Sequence, residues 1–157
     1  MRTTIVPHQV VLPRFGEATY ADDDVIEFPW GLPGFADHRR FLVLALDEQA
    51  PYLWLQSLDD PKVALPIVDP WQIFADYRPA LPYYARVALD LVNPADFAIY
   101  CVVVCTAGAE DLTINLLAPV VINHKARRAR QVMLEGSPYS VRQPIPRSAA
   151  PKEALHS

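Results

Sequence analysis

Glycine, cysteine and long apolar runs are all scarce in this sequence, and each scarcity excludes a class of protein. The chain has 157 residues but only 5 glycines, and it contains no glycine-rich phosphate-binding loop. No apolar run reaches the about 18 residues that a membrane-spanning helix needs. No basic segment followed by an apolar run marks a signal peptide. We therefore expect a cytoplasmic protein without a membrane span.

The two cysteines and four histidines give no sign of a disulfide, a metal site or a catalytic site. Cys101 and Cys105 lie four residues apart in a strand-like run, so at about 3.3 Å per residue they are about 13 Å apart on one face. That distance is too long for a disulfide, and we expect reduced core thiols. The histidines fall on separate elements without metal-ligand spacing. We expect no cofactor, no metal, no catalytic residue and no enzymatic activity.

Charge is unevenly distributed along the chain. The formal net charge is −4, but residues 1–112 carry 7 basic and 16 acidic residues, whereas residues 113–157 carry 7 basic and 2 acidic residues. The acidic part argues against nucleic acid and suits a basic protein partner. Lys125, Arg127, Arg128 and Arg130 form the one basic cluster. With no aromatic residue interleaved, a solvated hairpin tip is favoured over nucleic-acid contact.

Proline is abundant, with 16 residues, and it divides the chain into short extended segments. The apolar periodicity favours a short helix at 81–92, although part of that segment also alternates as a strand does. A helical turn is expected at 36–40. Strands are predicted at 4–12, 24–28, 40–46, 51–58, 62–70, 97–105, 112–124 and 129–134. We expect an all-β, antiparallel, barrel-like single domain over 1–142, followed by a flexible Pro-rich tail over 143–157.

Amide side chains interrupt the apolar runs at three positions, Gln56, Asn115 and Asn123. A buried amide must be hydrogen-bonded, so each is expected to bridge backbone groups at a bend. A role in binding remains the alternative for each of them.

Four blocks of sequence resemble the FliW family of flagellar assembly factors. They are EFPWGLPGF, YLWLQSLDDPKVALPIVDP, FADY and LTINLLAPVVIN, and their order and spacing match over roughly residues 4–135. The resemblance implies a small cytosolic protein without enzymatic activity. The chain departs from the family at 82–92, usually acidic and helical, where it has Tyr83, Tyr84 and Arg86. It departs again at the Pro-rich end, 136–157.

The resemblance also implies two partners. FliW proteins bind newly made flagellin, and they bind CsrA, an RNA-binding repressor of flagellin translation. Binding to CsrA relieves the repression, and flagellin competes for FliW. We expect a monomer that binds both partners without contacting nucleic acid or membrane.

The predicted partner-binding residues are mainly aromatic and acidic. Within Asp69–Tyr77, the aromatic residues have near-helical spacing in a Pro-bounded loop, and exposed aromatic anchors dominate interface energies. The alternative for this segment is that it caps the barrel. In EFPWGLPGF, Phe28 and Phe35 are expected to cover the barrel end while Trp30 stays partly exposed. The complete set is Trp30, Asp69, Trp71, Phe74, Asp76, Tyr77, Asn115 and Asn123.

The rival hypothesis is a small-ligand-binding or enzymatic β-barrel. Such a barrel needs a cavity of several hundred cubic ångströms with converging polar groups. Only Asn115, Gln56 and Tyr100 are candidates for those groups.

Overall fold

The computed structural model describes residues 7–45, 52–105 and 111–146. Within these ranges the protein is mainly β, with one short α-helix and three 3-10 turns, as the sequence predicts. The strands are β1 (His8–Leu12), β2 (Gly16–Tyr20), β3 (Ile26–Glu27), β4 (Arg40–Leu44), β5 (Tyr52–Ser57), β6 (Ala64–Val68), β7 (Phe97–Cys105), β8 (Leu112–Ile114), β9 (Val120–Asn123), β10 (Arg128–Gln131) and β11 (Gln143–Pro144). The helix α1 spans Tyr83–Ala88.

Seven of the strands form a closed ring. β3, β4, β5, β6 and β7 pair in sequence order, each antiparallel to the next. β9 pairs with both β10 and β7, and β10 pairs with β3. The β10–β3 contact is parallel and rests on one register pair, Arg128 with Glu27, so the ring is not antiparallel throughout. Closure removes most of the exposed sheet edges that would otherwise promote aggregation.

Two apolar clusters pack on opposite sides of the sheet. The cluster inside the ring contains Phe28, Phe41 and Leu55, and the cluster outside it contains Tyr52, Cys101 and Val103. Successive side chains of a strand point to opposite faces, so a strand covered on both faces is apolar throughout. This accounts for the run FAIYCVVVC of β7.

The segment EFPWGLPGF closes one end of the ring, as predicted. Phe28 is fully buried with its ring centroid 4.8 Å from that of Phe41, and Phe35 packs against the same cluster. Gly31 has φ of 65°, and a Cβ there would lie 2.5 Å from the Ala36 carbonyl oxygen. Only glycine fits this turn without displacing the backbone. Trp30 remains 45% exposed.

Several predicted elements differ from the structure. Residues 36–37 form a turn and Arg40 already begins β4, so 36–40 is not a helical turn, and the run 112–124 is divided into β8 and β9. β2, with the polar sequence GEATY, was not predicted because it lacks apolar alternation; it pairs only with β1. Cys101 is buried as expected, but Cys105 is exposed because it lies at the end of β7.

Strand pairing continues past residue 142, where the sequence predicts the start of the tail. Gln143–Pro144 forms β11 and pairs with β8, and the Ile145 N–H donates to the Leu112 carbonyl at 3.0 Å. The Ile145 side chain is buried in the outer cluster. Residues 143–146 therefore belong to the domain, and the rest of the predicted tail, 147–157, lies outside the described residues.

In the parts of the chain that the structure describes, no helix has the length and apolar character needed to cross a membrane.

Candidate functional site

The segment after β6 forms a tight turn that presents an aromatic ring. Asp69 caps this 3-10 turn, Pro70–Gln72, because its carboxylate accepts a hydrogen bond from the Trp71 N–H at 3.0 Å. Pro70 occupies the first helical position, where its missing N–H costs nothing. The sequence Asp-Pro-Trp therefore ends β6 and orients Trp71 locally.

Trp71 is half-exposed and held in place by one hydrogen bond. Its side chain is 39% exposed, and its indole N–H donates to the Tyr77 carbonyl at 2.8 Å. The ring centroids of Trp71 and Tyr77 are 5.7 Å apart. A fixed, partly exposed indole loses little conformational entropy when a partner covers it, as an interface anchor requires.

Trp71 lines an open groove of about 450 Å³, called here the Trp71 groove. Its opposite wall is the first half of β7. Burial and the nearby Asp69 carboxylate raise the pKa of the Tyr100 phenol, so that group stays protonated and able to donate a hydrogen bond. The lining is mostly apolar and consists of Leu53, Asp69, Trp71, Gln72, Pro94, Phe97, Ala98, Ile99 and Tyr100.

Among the described residues, the first half of β7 has one edge without a neighbouring strand. Phe97–Tyr100 pairs with β9 on one side, but β6 pairs with β7 only at Cys101 and Val102. β6 ends early because its chain turns away at Pro70. The Trp71 groove occupies the place where a continued β6 would lie.

Backbone hydrogen-bonding groups face this groove. Alternate residues of a strand direct their N–H and C=O groups to opposite edges. The Asp96 carbonyl accepts from the His124 N–H on the β9 side, which places the backbone groups of Phe97 and Ile99 on the groove side. The site therefore offers both an aromatic surface and a short backbone edge, the two features that bind extended peptides.

Three other predicted residues near Trp71 differ in their access to a partner. Phe74 is partly buried against the outer cluster, whereas Asp76 is exposed. Tyr77 is 2% exposed, and its hydroxyl donates to the Leu116 carbonyl at 2.7 Å. Burial raises the pKa of the Tyr77 phenol well above its usual range. Tyr77 is buried in this structure and supports Trp71 through its carbonyl, so its contact with a partner stays a prediction.

Asn115 and Asn123 fit the structural alternative. The Asn115 side-chain oxygen accepts from the Ala118 N–H at 2.9 Å, at the bend between β8 and β9. Asn123 is 3% exposed; its amide group donates to the Leu89 carbonyl at 2.7 Å, and its oxygen accepts from the N–H groups of the turn that follows. Asn123 therefore joins the loop after α1 to the end of β9 and is not available to a partner.

The polar groups required by the rival hypothesis do not converge. Gln56 is fully buried, and its amide donates to the carbonyls of Ser57 and Pro61. A second groove, of about 500 Å³, lies beside β2 and β4. Of the three candidate polar residues, only Tyr100 lines this groove or the Trp71 groove.

One pair of side chains resembles a nucleophile and its base, but its geometry argues against catalysis. The Ser57 hydroxyl lies 3.0 Å from Nδ1 of His38. However, Ser57 is fully buried, and its oxygen accepts from the N–H groups of Asp59 and Asp60, each at 3.1 Å. The Asp59 carboxylate in turn accepts from the N–H groups of Arg39 and Arg40. These contacts organise the turn after β5 and leave no substrate access to the hydroxyl.

Sequence reasoning missed half of the Trp71 groove. Phe97 and Ile99 lie in the run 97–105, which the sequence predicts as a strand without indicating an unpaired edge. The available signal was Pro70, which stops β6 two residues after Val68 and so leaves β7 partly unpaired. The basic cluster lies at the tip of the β9–β10 hairpin, as expected, but Arg130 also lies between aromatic rings, supplied by Trp30 and Tyr84 from distant segments.

The fold and the groove define a class: a small mainly-β protein whose sheet closes on itself and leaves a peptide-sized aromatic groove at its surface. The family model described as FliW protein matches residues 9–145, and the chain belongs to the FliW family. The resemblance inferred from the four sequence blocks is therefore confirmed.

Individual relatives support this assignment. The chain is 42% identical to a flagellar assembly factor FliW of Pseudothermotoga lettingae over 130 residues, 82% of this chain and 83% of the relative. It is 36% identical to the same factor of Thermotoga maritima, covering 82% and 87% of the two chains. A crystal structure of the flagellar assembly factor FliW aligns with a TM-score of 0.82 and 26% identity, covering 93% of this chain and 99% of the other.

Proposed function

We propose that this protein is a non-enzymatic flagellar assembly factor that acts in the cytoplasm by binding CsrA and unassembled flagellin. Family membership over residues 9–145 supports the role in flagellar assembly. The two partners come from the family resemblance of the sequence. In this proposal, binding to CsrA relieves repression of flagellin synthesis, and flagellin that has not been assembled occupies the protein and restores repression.

The Trp71 groove is the proposed docking surface, and it is the observation on which the assignment of a site depends. A partner segment entering the groove covers the exposed face of Trp71 and the side chain of Leu53. Its backbone can pair with the free edge at Phe97 and Ile99. Strand addition of this kind supplies affinity through backbone hydrogen bonds and specificity through side-chain pockets.

Charge favours a basic partner at this surface. Residues 1–112, which contain the whole groove, have 9 more acidic than basic residues. Asp69 and Asp76 place carboxylates at or near the groove. A basic RNA-binding protein such as CsrA is therefore attracted to this side of the molecule, and opposite charge increases the association rate.

Competition between the partners has two possible mechanisms in this proposal. Either both partners use the Trp71 groove, or CsrA and flagellin bind separate surfaces that are negatively coupled. Thermodynamic linkage makes any such coupling reciprocal, so each partner weakens the other by the same factor.

Calorimetric titration of the protein with CsrA and with flagellin tests the proposal. We expect Trp71→Ala to weaken binding of at least one partner by about 2 kcal/mol, because the groove loses its exposed anchor. Phe74 is not substituted because it packs on the core. A Phe74→Ala variant could lose binding through lower stability instead of through a lost contact. Val11→Ala, which truncates a 69% exposed apolar side chain that does not line the groove, is the matched control.

Two results would contradict the proposal at different levels. Failure of the wild-type protein to bind either partner would reject the proposed function. Normal binding by a folded Trp71→Ala variant would retain the function and exclude the groove as its site.

A further inference from the structure

Arg130 is held between two aromatic rings that come from other parts of the chain. Its guanidinium carbon lies 4.6 Å from the ring centroid of Trp30 and 4.9 Å from that of Tyr84. Trp30 belongs to the turn after β3, and Tyr84 lies in the first turn of α1. Guanidinium groups stack on aromatic faces, and two such contacts restrict the orientation of the planar group.

The charge of Arg130 is not neutralised within the described part of the chain. Among the described residues, the Arg130 side chain forms no ion pair and no hydrogen bond, whereas His8 pairs with Asp22. Arg130 is in register with Val121 of β9, whereas its neighbour Arg128 is in register with Glu27. Arg128 thus has a carboxylate on the adjacent strand, and Arg130 has none.

The two rings that contact this cation are partly exposed, and α1 carries two further exposed apolar side chains. Trp30 is 45% exposed, Tyr84 46%, and on α1 Tyr83 is 79% and Val87 60% exposed. We name this surface the Arg130 site, consisting of Trp30, Tyr83, Tyr84, Val87 and Arg130. A stacked guanidinium keeps its N–H groups at the edge of its plane, where they are available for a bidentate contact with a carboxylate.

We propose that the Arg130 site binds a Glu or Asp side chain of a partner protein, within a segment whose flanking residues are aliphatic. The carboxylate accepts two hydrogen bonds from the guanidinium edge, and the aliphatic residues cover Tyr83 and Val87. This proposal does not depend on the Trp71 groove or on the identity of the partners proposed above.

Two other occupants fit the site less well. Single-stranded nucleic acid needs open aromatic faces for base stacking, and here Arg130 covers a face of both Trp30 and Tyr84. A second copy of this chain offers the acidic run Asp22–Asp24, but the apolar residue that follows it, Val25, is buried. An acidic segment with exposed aliphatic residues satisfies both parts of the surface.

Nuclear magnetic resonance of the full, ¹⁵N-labelled chain tests this assignment. The probe is an end-blocked hexapeptide of alternating Glu and Leu, and a copy with Gln in place of Glu is the control peptide. We expect saturable shifts of the Arg130 Nε–H and Trp30 indole N–H signals with the Glu peptide. Arg130→Gln should weaken binding about tenfold or more, the loss expected for a charge-assisted contact.

Matched variants separate recognition from folding. Arg130→Lys keeps the charge without the planar fork, so it should bind more tightly than Arg130→Gln and less tightly than the wild type. Arg142→Gln removes an exposed arginine elsewhere and should leave binding unchanged. Thermal unfolding of each variant identifies any that lose the fold, and only folded variants are compared.

Several outcomes would overturn the assignment. These are the absence of saturable shifts with the Glu peptide, equal binding of the Gln peptide, and tighter binding of an oligouridylate than of the Glu peptide. Shifts of the same signals that appear on raising the protein concentration alone would assign the surface to self-association instead.

Discussion

At the scale of single residues, Gly31 determines how the chain turns at the end of the ring. Its φ of 65° is unfavourable for other residues, and the Ala36 carbonyl oxygen leaves no room for a Cβ. The turn that it permits positions Phe28 inside the ring and Trp30 on the surface. One backbone conformation thus serves both the core and the Arg130 site.

Gly31→Ala should therefore destabilise the protein by more than backbone strain alone. Gly16→Ala is the matched control, because Gly16 has a similar φ of 69° and no atom within 4 Å of its added Cβ. We expect a cost of about 1 kcal/mol for the control and a clearly larger cost for Gly31→Ala, measured by urea unfolding. Equal losses would show that the contact with Ala36 relaxes freely.

Buried acidic groups at the sheet make stability sensitive to alkaline pH. Burial raises the pKa of the Cys101 thiol to about 12 and that of the Tyr52 phenol to about 12. In the unfolded chain these groups ionise near their ordinary values of 9.0 and 10.0. Between those values and about 12 the unfolded state binds fewer protons, so the free energy of unfolding decreases as pH rises.

We therefore expect the contribution of these two groups to the free energy of unfolding to be constant below about pH 9. Above that pH the contribution should decrease progressively. Cys101→Ala should make the decrease between pH 9 and 10 shallower, because Tyr52 begins to ionise only later in the unfolded state. Urea unfolding at fixed pH values provides the measurement. A decrease of the same slope in the variant would show that the thiol does not contribute.

At the scale of elements, the sequence predicts those strands whose own residues indicate an extended conformation. The β-branched run of β7 and the Pro-Gly turn after β3 carry their own signals. The parallel contact of β10 with β3 does not, because it rests on one residue pair that is brought together by the whole ring. β11 is equally difficult to predict from the sequence, since two residues ending in proline form a strand only where β8 offers an edge.

The same reasoning explains which parts of the candidate sites could be foreseen. Trp71 was predicted because the aromatic residues of its own segment have near-helical spacing in a Pro-bounded loop. The free edge of β7 could be recognised only from the relative lengths of two paired strands. The rings around Arg130 come from segments about 46 and 100 residues away in the sequence, so no local pattern indicated them.

β11 gives a direct test of where the domain ends. Truncation after Arg142 removes β11 and the buried Ile145, and should lower the melting temperature markedly, because a buried Ile side chain contributes about 1.5–3 kcal/mol. Truncation after Pro146 keeps every described contact and is the control. Equal melting temperatures would place the domain end before β11.

At the scale of the whole molecule, the Trp71 groove and the Arg130 site differ in charge and shape, so they suit partners of different chemistry. The Trp71 groove lies in the acidic part of the sequence, whereas the Arg130 site presents a cation with no adjacent carboxylate. A protein with two such surfaces can hold a basic partner and an acidic segment at the same time. Its proposed regulatory role, however, requires that CsrA and flagellin do not bind independently.

The measurement that tests this central claim most directly is a titration of the preformed complex with CsrA by flagellin, at low salt and above about 0.15 M, where exposed charges are screened. We predict that flagellin displaces CsrA, and that displacement needs less flagellin at the higher salt because the electrostatic attraction to CsrA is weakened. A stable ternary complex with unchanged affinities at both salt concentrations would contradict the account.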